Sequence, residues 1–258
     1  MYAPLKARGV EICRGQLALV VGPPSSGKSL FLMNLLVRMK VPSLAFLLDI
    51  DQLSAAARFG SIMTGDKFGQ VKADIESYRE ALMRLEDVQV QFHVQDMDDI
   101  RLQVDAYEQR FGLPPDVIVL DNIGNLTSAL DGEWALLKAL TLELDLLARE
   151  MQMAVIAAAH VTDLETTNPA GRTKILGKIS QYPRLILSVG FDPVSGEYKV
   201  SAVKNSSGPS DVSASHPVTM YADPSRMYLG ESDPNWSPSS ALPAESRQPV
   251  DNPWSDLR

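Results

Sequence analysis

The chain has 258 residues, 45% of them hydrophobic, enough to bury one large core, and a single folded domain is expected over residues 1–230. A net charge of −8 excludes a surface coated for nucleic-acid binding, though not a local basic loop facing the centre of an oligomer. No apolar run reaches the roughly 18 residues of a membrane span, no leader pattern opens the chain, and Cys13 has no second cysteine to pair with, so the expectation is a cytoplasmic protein with no membrane segment.

Residues 17–21 are an uninterrupted apolar run, which predicts a buried strand. Gly22-Pro23-Pro24-Ser25-Ser26-Gly27-Lys28-Ser29 follows and fits Gly-x-x-x-x-Gly-Lys-Ser/Thr, with an amphipathic helix predicted over 29–37 behind it. Strand, loop and helix in that order make a phosphate-binding loop. The glycines let successive N–H groups and the helix dipole surround a phosphate, Lys28 reaches the terminal phosphates, and Ser29 offers its hydroxyl to Mg²⁺. Val41-Pro42 ends the helix, and residues 43–49 read as a second buried strand closing on Asp49. Hydrolysis of a nucleoside triphosphate needs a group that orients or deprotonates water, and a carboxylate at a strand's carboxyl end beside the loop suits that task. Asp49 is the candidate; Asp51, two residues on, is the alternative, although it fits a helix cap better.

Helical spacing continues over 52–64, which carries Arg58, and over 67–86, with Gly65 as a stop between them. Residues 88–92 alternate as a half-buried strand, and 98–111 form a further helix that ends at Gly112-Leu113-Pro114-Pro115. Asp116-Val117-Ile118-Val119-Leu120-Asp121 is a β-branched run ending in an aspartate, as a central parallel strand with a metal-holding carboxylate requires. A long amphipathic helix over 133–152 leads to a strand over 154–159, and His160 at its end is a candidate sensor of a terminal phosphate, the alternative being a solvated strand-end histidine. Residues 161–177 turn polar and read as a long loop with Arg172 and Lys174, of the kind that is either functional or disordered. Strands over 184–189, 198–204 and 218–221 then add an antiparallel edge, the first two joined by a turn at Asp192-Pro193-Val194-Ser195-Gly196. Residues 231–258, with five prolines and six serines, read as a flexible tail whose Trp236 and Trp254 are its apolar anchors. The fold class is therefore α/β: a mostly parallel central sheet flanked by helices, with antiparallel edge strands.

These segments, in this order, resemble the motor domain of the DnaB-like replicative helicases within the RecA-like P-loop ATPases. Gly15 to Leu35 is similar to that family's opening strand, loop and helix, and Phe46-Leu47-Leu48-Asp49, nine residues before Arg58, to its catalytic carboxylate followed by an arginine. Val117 to Asp121 matches its second acidic motif, and Ala157-Ala158-Ala159-His160-Val161 its sensor motif. Lys174-Ile175-Leu176-Gly177-Lys178-Ile179-Ser180-Gln181 resembles a DNA-facing loop, and Lys204-Asn205-Ser206-Ser207-Gly208-Pro209 the late Lys-x-Arg-x-Gly-Pro element. The resemblance spans roughly residues 9–230 and departs from the family pattern at Asp49 (normally glutamate), His160 (normally glutamine) and Ser206 (normally an arginine that acts on a neighbour's nucleotide).

What the resemblance implies is an ATP-dependent helicase or translocase acting on single-stranded DNA in replication, assembled as a hexameric ring with ATP between subunits. ATP and Mg²⁺ would be held by Gly22 to Ser29, Arg58 and Asp121. Asp49, Lys28, His160 and the trans-acting Lys204 would serve catalysis, and Arg172, Lys174, Gly177 and Lys178 would face DNA. The family's helical domain that contacts primase is expected to be absent, leaving the tail to meet a replication partner. A RecA-like or RadA-like recombinase and a non-motor regulatory ATPase or helicase loader are the rival expectations.

Overall fold

A computed structural model describes residues 1–127, 132–161 and 165–231, apart from the side chains of residues 133 and 176–178. Helix α1 (Ala3–Ala7) precedes β1 (Leu17–Val21), α2 (Lys28–Met39), β2 (Ser43–Leu47), α3 (Gln52–Thr64), α4 (Phe68–Ala73), α5 (Arg79–Met83), β3 (Val88–Gln91) and α6 (Met97–Phe111). Then come β4 (Val117–Asp121), α7 (Glu133–Met151), β5 (Ala154–Ala159), β6 (Leu185–Phe191), β7 (Glu197–Asn205), β8 (Val218–Asp223) and β9 (Tyr228–Gly230). The described strands form one sheet in the order β3-β2-β4-β5-β1-β6-β7-β8-β9. From β3 to β6 every pairing is parallel, and from β6 to β9 every pairing is antiparallel.

The parallel strands other than the edge strand β3 are buried on both faces, which is why they read as continuous apolar runs. Their side chains alternate between two cores. Ala18 and Val20 of β1 join Ala45, Val119, Phe31, Leu35 and Phe59 under α2 and α3. Leu17, Leu19 and Val21 join Ile118, Leu120, Ile100, Leu140 and Leu144 under α6 and α7 on the opposite face. Each fully buried Leu or Phe contributes about 1.5–3 kcal/mol relative to exposure, so the two layers clamp the middle of the sheet. The antiparallel extension is tied back to α2: the Asn34 side chain donates to the carbonyl of Met227 at 2.8 Å, and Arg38 donates to that of Leu229 at 3.2 Å.

Several expectations are corrected in detail. The helix expected over 67–86 is broken into α4, a 3-10 turn over Ile75–Tyr78, and α5. At the break Asp74 leaves helical geometry (φ −140°, ψ 60°) and accepts from the Ser77 hydroxyl at 2.7 Å, a local bond that competes with the helix ladder. Helix α6 starts at Met97, since the Asp96 carboxylate accepts from the Asp99 amide and caps it. Strand β2 stops at Leu47, so Asp49 lies in the turn that follows. The loop expected over 161–177 includes a bridge between Val161 and Ile175, then 3-10 turns over Arg172–Lys174 and Leu176–Gln181. Helix α1 and strand β9 are additions too short to carry a period. The tail expected over 231–258 lies outside the described residues beyond Glu231.

Candidate active site at the carboxyl ends of the parallel strands

The loop between β1 and α2 curls over the first turn of α2, with Pro24 and Ser25 at its exposed tip. Gly22 packs against the backbone of β6: a Cβ there would lie 2.9 Å from the Val189 carbonyl oxygen. Gly27 caps α2 in the left-handed region, at φ 83°, where glycine carries little steric penalty. Its amide neighbours are the unpaired donors of a helix N-terminus, which with the dipole favour a phosphate. The Lys28 ammonium is buried and donates to the carbonyls of Gly22 and Pro23 at 2.9 and 2.8 Å, closing the loop on itself.

Burial pushes the Lys28 pKa down to about 8, against the opposing pull of the Asp121 and Asp49 carboxylates. A triphosphate favours the charged ammonium and so raises this pKa on binding. Above the value of about 8, triphosphate binding should therefore take up a proton, with affinity falling toward tenfold per pH unit; well below it no uptake should occur. Calorimetric titration in buffers of different ionisation enthalpy, a unit above and a unit below that value, measures the uptake directly. A uniform absence of uptake would show that Lys28 stays charged throughout.

Asp121 ends β4 beside the loop and is buried. Its carboxyl pKa is raised by burial first, with a hydrogen bond to Ser29 opposing, the Asp49 charge adding to the rise, and Lys28 and Arg58 opposing it. Ser29 and Asp121 are thus brought into contact, the two oxygen ligands that suit Mg²⁺, whose remaining sites would be filled by phosphate and water. Among the described residues no group of three or more His, Cys, Asp or Glu could hold a metal ion. Arg58, on α3, is close enough for its charge to act on Asp121.

Asp49 is exposed, and both its oxygens are held: Asn122 donates to Oδ2 at 2.8 Å and Asn125 donates to Oδ1. The two asparagines follow β4 directly, in Asp121-Asn122-Ile123-Gly124-Asn125, and were not anticipated. Polar residues just beyond the carboxyl end of a central strand were the available signal. Asp51 does something else: it caps α3, accepting from the Ser54 amide at 2.9 Å and hydroxyl at 2.6 Å. His160 Nδ1 lies 3.2 Å from the Lys28 ammonium, and its pKa is lowered by burial and then by that cation, so the ring is a neutral acceptor at pH 7. Lys28, Ser29, Asp49, Asp121 and His160 therefore meet in one place.

The other basic residues are elsewhere. Lys204 pairs with Ile186 near the start of β6, level with Leu19 in the middle of β1 and two strands across from it. Three residues of strand rise and two strand spacings lie between Lys204 and Gly22, each about 10 Å. The Lys204 ammonium donates to the carbonyls of Ser180 and Gln181 at 2.8 and 2.9 Å, and its pKa is lowered by burial and then by Arg172 and Arg184. Arg172 and Lys174 share the turn over Arg172–Lys174 close by; Lys174 is exposed. Gly177 and Lys178 fall in the next turn, and their side-chain surroundings lie outside the described residues. Ser206 donates its amide to the Arg184 carbonyl. Among the described residues no helix is long and apolar enough to cross a membrane.

No protein-family profile matches the chain. It is 30% identical over 229 residues to the Gene 65 protein of Mycobacterium phage L5, covering 83% of this chain and 85% of that protein. It is 32% identical over 215 residues to the Gene 65 protein of Mycobacterium phage D29, covering 76% and 91%. Among solved structures, a DnaB-like replicative helicase, described with its interactions with primase, superposes with a TM-score of 0.74 at 15% identity over 89% of this chain and 62% of its own. An ATPase domain superposes at 0.71 with 13% identity over 86% of each chain, and the RadB recombinase at 0.58 with 15% identity over 90% and 98%. At these identities the likeness establishes the fold alone, one shared with the DnaB-like helicase and the RadB recombinase.

Proposed function

Since the chain belongs to the family of the mycobacteriophage Gene 65 proteins and has the fold of DnaB-like motor domains, we propose that it is an ATP-dependent motor on single-stranded DNA, a helicase or translocase of phage replication. The observation that carries this reading is the convergence of Lys28, Ser29, Asp121 and a doubly held Asp49 at the carboxyl ends of β1, β2 and β4. In it the loop amides and Lys28 hold the β- and γ-phosphates, and Ser29 and Asp121 hold the Mg²⁺ that neutralises phosphate charge. Asp49 orients the attacking water and takes its proton, with Asn122 and Asn125 fixing the carboxylate's direction. His160 accepts from Lys28 and so feels whether that ammonium is turned to its own loop or to a γ-phosphate.

A hexameric ring is part of the reading. Lys204 bonds to Ser180 and Gln181 with Arg184 and Arg172 beside it, and in this reading these cations act on a neighbour's nucleotide. Residues 1–230 form the motor in this reading, and the tail beyond serves a replication partner. DNA would pass the turns that carry Arg172, Lys174, Gly177 and Lys178. Arg172→Ala and Lys174→Ala should each flatten the dependence of log affinity on log salt by about 0.7, the share of one phosphate contact on a single strand. Fluorescence anisotropy of a labelled oligonucleotide across a salt series reads the slope, and an unchanged slope in both variants would put the DNA elsewhere.

Two observations favour a second reading, a regulatory ATPase or helicase loader: Lys204 gives donors to its own chain, and position 206 is serine. ATPase rates with and without single-stranded DNA, run beside forked-duplex unwinding and homologous strand exchange, separate the readings. A motor is stimulated and unwinds, a recombinase exchanges strands, and a regulator hydrolyses slowly and does neither.

A further inference from the structure

Beneath the phosphate-binding loop, Tyr198 of β7 is fully buried, 171 positions further along the chain than the residue it touches. Its hydroxyl donates to the Gly27 carbonyl at 3.0 Å. The same carbonyl accepts the first helical bond of α2, from the Phe31 amide at 2.9 Å, so both of its lone pairs are engaged. The ring is held flat against Phe31, with centroids 6.3 Å apart and planes 6° from parallel, and Phe191 closes the next side at 6.4 Å. The fit is close: a Cβ on Gly27 would lie 2.6 Å from the Tyr198 ring edge, so this glycine answers to the tyrosine as well as to its own positive φ.

Gly27 and Lys28 share one planar trans peptide, in which the carbonyl and the N–H point in opposite directions. Fixing the carbonyl from below therefore aims the Lys28 N–H upward, out of the helix N-terminus and into the hollow of the loop. Lys28 is preceded by a residue in the left-handed region, and a glycine there has wide freedom to rotate that peptide. We propose that Tyr198 is a positioning residue for phosphate binding, whose hydroxyl locks the Gly27–Lys28 peptide so that the Lys28 amide is pre-aimed at the phosphate. The inference rests on the reading of Gly22 to Ser29 as a phosphate loop. Burial raises the Tyr198 pKa well above its usual value, so the hydroxyl keeps its proton and donates at every working pH.

Inorganic tripolyphosphate isolates the phosphate contacts from any base contact. Its affinity for the wild-type chain and for Tyr198→Phe is measured by calorimetry, with the Lys28 backbone amide followed by nitrogen-15 NMR. The expected result is affinity about tenfold weaker in Tyr198→Phe, the scale of one buried hydrogen bond. The ligand-induced downfield shift of the Lys28 amide should shrink with it. Phe31→Leu loosens the same packing and spares the hydroxyl; at matched loss of melting temperature it should keep most of the affinity and the amide shift. Equal affinity and equal shift in Tyr198→Phe and wild type would overturn the proposal, as would an equal loss in Phe31→Leu. If the wild-type chain itself binds no tripolyphosphate, it is the phosphate-loop reading that fails.

Discussion

Lys28→Ala should abolish measurable ATP hydrolysis while leaving the domain folded. The ammonium is placed to stabilise charge on the terminal phosphates, and removing one such preorganised group costs about 10²–10³ in turnover. Binding should suffer as well, because the same cation meets the ground-state triphosphate. Stability should move little: the charge lost is a buried one, and its desolvation works against the two carbonyl bonds it makes. Steady-state phosphate release, titration with a fluorescent ATP analogue and a thermal melt test the three parts. Wild-type turnover in Lys28→Ala would remove the phosphate loop from the chemistry.

Asp49→Asn should separate binding from turnover. Asparagine keeps the shape but is a poor base, so ATP affinity should hold while hydrolysis falls by roughly the 10²–10⁴ that a general base supplies. Asn122→Ala and Asn125→Ala leave the carboxylate in place but release one of its oxygens each, and should lower turnover less than Asp49→Asn does. Asp121→Asn should differ in kind, with binding made insensitive to Mg²⁺, because that carboxylate pairs with Ser29, whereas the side chains of Asn122 and Asn125 hold Asp49. Single-turnover hydrolysis and Mg²⁺-dependent binding distinguish the two aspartates. If Asp51→Asn stops turnover and Asp49→Asn does not, the assignment of the base is wrong, and the cap on α3 is something more.

What could be read before the fold was known follows a physical line. Short-range signals were legible: the phosphate loop lies in eight consecutive residues, and β1, β2, β4 and β5 announce themselves as apolar runs because both sheet faces are covered. The preference for Asp49 over Asp51 anticipated the cap that Asp51 makes with Ser54. Contacts that join distant segments were not legible. Nothing near Tyr198 in the chain points to Gly27, and nothing near Asp49 points to Asn122 and Asn125. The break at Asp74 was hidden for another reason: Asp and Ser occur in helices as well as at their breaks, and only the bond between Asp74 and Ser77 decides which. Lys204 is expected to act on a neighbour's nucleotide, and nothing near it in the chain announces the bonds its ammonium makes to the carbonyls of Ser180 and Gln181.

The clip between α2 and the last strand has a consequence for how the chain matures on the ribosome. Asn34 emerges 193 residues before Met227, the carbonyl it bonds. The helix that carries Lys28 is therefore held at its far side only after nearly the whole of 1–230 has been made, and a pairing of such long sequence separation forms late. Nascent chains stalled short of β9 should contain a formed phosphate loop on an unbraced helix, so competence for nucleotide arrives close to the end of synthesis and not gradually along it.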